Sequence, residues 1–82
     1  MSEKRPFVRV PIMDVANETR LAYLFEIEYQ FVWLPKRSVG KLERPATSLV
    51  KGYVDVPPWL YTSARLHEIF KDPETIPPTV LA

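Results

Sequence analysis

Hydrophobic and polar residues alternate in several short stretches of the chain, and their spacing sets the expected elements. Val8, Val10 and Ile12 fall on one side of residues 7–12 with Arg9 on the other, the period of a half-buried strand. Pro11 has no backbone donor, which places this strand at a sheet margin. Asp14 to Thr19 is polar and reads as a connection. Residues 21–34 are dense in aromatic and β-branched side chains and end at Pro35. Helical spacing of Leu21, Leu24, Phe25 and Glu28 competes there, but the composition favours strands over 21–27 and 31–34 with a tight turn near Glu28 to Gln30. In the first of these, Tyr23, Phe25 and Ile27 form one face.

Further along, residues 49–56 alternate Val50, Val54 and Val56 against Lys51, Tyr53 and Asp55, with Gly52 as a bulge position. Pro57-Pro58 stops that strand, and Pro58 suits the first turn of a helix. Over residues 59–71, Trp59, Ser63, Leu66 and Phe70 share an arc of about 60°, opposite Tyr61, Arg65 and Glu68, so an amphipathic helix is expected. Asp72-Pro73 ends it. The expected fold is α+β: a small, strongly twisted antiparallel sheet, an SH3-like partial barrel, covered by one C-terminal amphipathic helix. Phe25, Ile27, Trp33, Trp59, Leu66 and Phe70 are the expected core anchors. Residues 1–5 read as a flexible N-terminus, 6–72 as a single domain, and 73–82, with Pro77-Pro78, as an extended Pro-rich tail that could pair with a sheet edge or fill a partner's groove.

Composition narrows the chemistry. The 82 residues hold 11 Lys and Arg against 10 Asp and Glu, one His and no Cys. The missing cysteines exclude a disulfide framework, a thiolate metal cage and a cysteine nucleophile, and fit a reducing compartment. With no 18-residue apolar run, the expected location is the cytoplasm, that of the host cell if the protein is phage-encoded, with no membrane partner. His67 is the sole imidazole; Ser63 lies one helical turn before it, yet no carboxylate is placed to orient it. Asp14, Glu18, Glu26, Glu28 and Asp55 lack metal-ligand spacing, and two glycines, Gly40 and Gly52, are too few for a phosphate-binding loop. No enzyme activity, metal or cofactor is expected.

The near-neutral total hides a pattern. Asp14, Glu18, Glu26 and Glu28 against Arg20 make residues 14–28 acidic, at −3. Lys36, Arg37, Lys41, Arg44 and Lys51 against Glu43 make residues 35–51 basic, at +4. A bipolar surface suits oriented docking. Those five cations, with Tyr29 and Tyr53, form the candidate site for a protein or a nucleic acid, and the tyrosines are a residue type enriched at interfaces.

Two stretches bear a resemblance. Leu24-Phe25-Glu26-Ile27 followed by Val32-Trp33-Leu34-Pro35-Lys36 and Ser38-Val39 resembles the "LFEI…xWIPKSxI" pattern of small uncharacterised proteins of bacteriophages and mobile elements. Val54-Asp55-Val56-Pro57-Pro58-Trp59-Leu60 is similar to their second block, "VxVPxWL", so the likeness spans residues 21–66. Here Glu28-Tyr29 stands where those proteins usually carry Asp-Gly, and Arg37 intervenes between the lysine and the serine. The resemblance implies a β-plus-helix module encoded near phage replication, recombination or anti-defence genes, with no catalytic residues in the motif. The expected function is therefore that of a non-enzymatic accessory protein that binds a larger protein or complex, including inhibition of a host defence complex. The alternatives are a nucleic-acid-binding accessory of replication or recombination using the 36–51 loop, and self-association into a dimer.

Overall fold

The computed structural model describes residues 7–47, 50–71 and 78–80. They form a sheet-rich domain of two antiparallel sheets and two short helices. The strands are β1 (Val8–Ile12), β2 (Asp14–Glu18), β3 (Ala22–Ile27), β4 (Gln30–Pro35), β5 (Leu42–Glu43), β6 (Gly52–Val56) and β7 (Thr79–Val80); the helices are α1 (Pro58–Ser63) and α2 (Leu66–Ile69). One sheet has the order β5-β6-β1-β7 and the other β2-β3-β4. Only Met13 separates β1 from β2, so the chain passes directly from one sheet into the other.

The polar segment Asp14 to Glu18, expected to be a connection, is a strand with a register shift between Val15 and Asn17. Its side chains other than Val15 are exposed, so burial left no alternation in the sequence. Pairing comes instead from β3, which supplies the ladder. The margin position expected for β1 is corrected in part. It lies between β6 and β7, but among the described residues β7 pairs with Val8 and Arg9 alone, and no described strand lies on that side of Pro11. A proline is tolerated there for the reason a margin was expected.

The expected hairpin is present. Glu28 and Tyr29, at φ 46° and 66°, are the two residues of the turn and join Ile27 to its partner Gln30. Two left-handed residues in succession match the strands' right-handed twist, a geometry usually given to Asn-Gly. The register pairs Phe25 with Val32 and Tyr23 with Leu34 on the inner face; Leu24 with Trp33 and Ala22 with Pro35 lie on the other.

Gly52 is not a bulge. β1 and β6 pair without a shift from Val8↔Val56 to Ile12↔Gly52. The glycine is needed because the chain at Glu43 to Pro45 crosses close above it, where a Cβ would meet the Glu43 carbonyl and the Pro45 nitrogen.

The helix expected over residues 59–71 is two helices, interrupted at Arg65, which is left-handed at φ 58°, ψ 30°. Pro58 occupies the first turn, and the Leu60 and Tyr61 amides donate to the Pro57 carbonyl. In one straight helix Leu60 and Leu66 would lie roughly 120° apart. The break resets the phase and both enter the core, while Trp59 stays 58% exposed. Trp59 is therefore not a core anchor.

The core comprises Val8, Val10, Ile12, Phe25, Ile27, Leu34, Val54, Val56, Leu60 and Leu66. Phe25, Ile27 and Leu66 are fully buried as expected, and Phe70 packs against the core partly buried. Trp33, expected with them, is 49% exposed. Because Leu34 faces inward, strand alternation turns Trp33 outward.

The N-terminal segment 1–5 lies outside the described residues, as do residue 72 at the expected end of the domain and residues 73–77, 81 and 82 of the expected tail. Thr79 and Val80 form β7 on β1, so the domain extends beyond the boundary expected at residue 72.

Candidate functional site

The predicted basic site does not assemble in one place. Lys36 and Arg44 both donate to the Glu18 carboxylate, Arg44 at 3.2 Å. Both also lie over the Tyr23 ring, at 5.0 and 6.0 Å from its centre. The strand order explains this: Glu18 and Tyr23 are cross-strand partners, and the Lys36 amide donates to the Leu21 carbonyl at the hairpin's open end. Hydrogen bonds from Lys36 first, then Arg44, hold the Glu18 carboxyl below the ordinary carboxylate range. Lys51 pairs with Glu28 at 2.8 Å, near Tyr29 at the hairpin turn. Tyr53 is on β6 of the other sheet and Lys41 just before β5, beside Arg9, Glu43 and Asp55.

The acidic and basic segments thus become each other's partners. Glu18 and Glu28 absorb three of the five cations, and the expected bipolar surface is largely compensated within the domain. Arg37 and Lys41 make no ion pair among the described residues. Asp55, a buried carboxylate, accepts from two of the Arg9 side-chain nitrogens, Nε at 3.0 Å and Nη2 at 3.3 Å, across the β1–β6 register. The fork matches the carboxylate and raises the guanidinium's already high pKa, chiefly through that hydrogen bond.

His67 has no triad around it. α1 ends at Ser63 and the left-handed Arg65 intervenes, so the helical spacing that would set Ser63 beside His67 is broken. The imidazole Nε2 lies 3.8 Å from Glu68, and both side chains are exposed. Among the described residues no group of three or more His, Cys, Asp or Glu could hold a metal ion. No described helix is long and apolar enough to cross a membrane.

What the structure brings together instead is apolar. On the outward face of β4, Phe31 is 61% and Trp33 49% exposed, and Leu21, just before β3, is 69% exposed. A groove of about 730 Å³ runs beside Trp33, bounded by Arg20 to Ala22 and Leu34 to Arg37. A second depression, about 530 Å³, lies between Gln30–Trp33 and Ala64, Arg65, Glu68 and Ile69. Trp33 lines both. β4 ends its sheet, and no described strand pairs with its outer edge. Arg20, Leu21 and Phe31 were missed by sequence reasoning: Arg20 was counted only within the acidic segment, and Phe31 alternates as well toward the core as away from it.

No protein-family model, curated protein or solved structure matches the chain.

Proposed function

We propose that the protein is a non-enzymatic accessory protein that works by binding another protein through the outward face of the β2-β3-β4 sheet at β4, whose outer edge carries no described strand. The observation that supports this reading is the exposure of Phe31 and Trp33 on the outward face of β4, with the exposed Leu21 lining the same groove as Trp33, a cost in solvent that a partner would remove. The phage-type setting, and inhibition of a host defence complex as the biological role, rest on the resemblance of residues 21–66. The direct passage of β1 into β2 supports reading the two sheets as an SH3-like partial barrel. A cytoplasmic location belongs to the same proposal.

The test is quantitative affinity purification from a lysate of the native cell with wild-type protein, a Phe31→Ala/Trp33→Ala variant and a Trp59→Ala control. Proteins retained by wild type and control but lost from the double variant are expected. Equal capture by all three overturns the reading, provided circular dichroism shows the variants folded. Nucleic acid is a second reading, supported by an exposed Trp33 beside Arg20, Lys36 and Arg37. Binding of a dT oligonucleotide that falls by orders of magnitude between about 50 and 200 mM salt would favour it.

A further inference from the structure

We infer that the groove beside Trp33 takes an extended, acidic segment of a partner protein, seated by an apolar anchor residue; this rests on the protein-binding reading above and names its partner's chemistry. The apolar lining, Leu21, Trp33 and Pro35 among it, asks for an aliphatic or aromatic side chain. The charged lining is of one sign: Arg20, Lys36 and Arg37 border the groove and no carboxylate does. Lys36 is held by Glu18, whereas Arg20 and Arg37 make no ion pair among the described residues. Two guanidinium groups without an ion-pair partner among the described residues, in reach of an apolar cleft, complement carboxylates flanking a hydrophobic residue.

The backbone gives the segment its conformation. β4 carries an outer edge with no strand on it among the described residues, and the two depressions that flank β4 meet at Trp33. An extended peptide laid there adds a strand and places alternate side chains into the groove. A single-stranded nucleic acid would bring the right charge but the wrong contacts. Among the described residues Trp33 is the aromatic ring lining the groove and Phe31 the next on the same face, fewer platforms than the run of bases a single strand presents. Three of the five basic-loop cations are also already committed to Glu18 and Glu28.

The experiment is selection of displayed random 12-residue peptides against the wild type, against Arg37→Glu and against Arg20→Glu/Arg37→Glu, with a dT oligonucleotide tested in parallel. Both arginines are exposed and make no ion pair among the described residues, so the variants should fold, which circular dichroism checks. The wild type is expected to enrich peptides with Asp or Glu around an apolar anchor. The selected peptides should bind the double variant about tenfold more weakly at 50 mM salt, with the difference shrinking toward unity at 500 mM. Enrichment of neutral or basic peptides overturns the inference and leaves the protein-binding reading standing. No enrichment overturns the inference, and with tight oligonucleotide binding it overturns both.

Discussion

Replacing Gly52 with alanine tests whether the crossing of two chain segments holds this fold together. The added methyl group would overlap the Glu43 carbonyl oxygen and lie 2.7 Å from the Pro45 nitrogen and 2.8 Å from its Cδ. These are backbone and ring atoms that cannot rotate aside, so the segment 43–45 must lift off β6. Gly52 has no positive φ. Without the overlap, alanine would stabilise the domain by about 0.4–1 kcal/mol through the unfolded chain, so the sign of the effect discriminates. Overpacking of this kind costs about 1–3 kcal/mol. Lifting the segment also strains the β5–β6 pairing of Leu42 with Val54 and Glu43 with Tyr53, at about 1 kcal/mol per hydrogen bond lost. A net loss of roughly 2–4 kcal/mol follows, which in a domain this size lowers Tm by roughly 10–25 °C. Thermal and urea unfolding followed by far-ultraviolet circular dichroism reads it. Gly40→Ala is the control: its Cβ meets the Phe7 ring at 3.2 Å and the Asp55 Cβ at 3.3 Å, side-chain atoms, the nearest of them on an exposed ring that can shift, and should cost under about 1 kcal/mol. A loss below about 1 kcal/mol at Gly52, or a rise in Tm, refutes the crossing. The variant should also weaken the Arg44–Glu18 contact, because Arg44 lies within the lifted segment.

Two further outcomes follow from burial and charge. Phe25→Ala empties a fully buried site and should cost about 3–5 kcal/mol, whereas Trp59→Ala, at a site 58% exposed, should cost at most roughly 2 kcal/mol; equal losses in urea unfolding would return Trp59 to the core. Glu18 has a lowered pKa from Lys36 and Arg44, so its contribution to stability is present above the ordinary carboxylate range and lost as pH falls through its folded-state value. Wild-type Tm should therefore drop on acidification more steeply than that of Glu18→Gln, and parallel pH profiles would show that the two ion pairs contribute nothing.

The local chemistry of the chain carried far. The β3–β4 hairpin was legible because Tyr23, Phe25 and Ile27 alternate with a glutamate between the last two and because Pro35 closes the run. β6 and the start of α1 were legible from Val54 and Val56 and from Pro57-Pro58, although Val50, read with them, is exposed and precedes the strand, which starts at Gly52 rather than residue 49. β2 was not: a strand with one partly buried residue has no alternation to read, and its pairing with β3 is invisible to local pattern. The inward face of β4 was ambiguous for the opposite reason. Phe31 and Trp33 are as apolar as Val32 and Leu34, so either set could face the core, and the larger residues were the natural choice.

Sequence alone determined the strand and helix-forming segments, the absence of thiol chemistry and the thin supply of titratable groups, since these depend on residue type and near-neighbour spacing. Tertiary structure decided which face of β4 is buried, where the helix breaks and which charges meet. Each of those turns on a register or a crossing between segments distant in the chain. The two-residue turn at Glu28-Tyr29 fixes the register that puts Leu34 inside and Trp33 outside. The β2–β3 pairing, by setting Glu18 beside Tyr23 where Lys36 and Arg44 reach both, turns an apparent polarity into internal ion pairs and leaves an apolar face beside two arginines without an ion pair among the described residues.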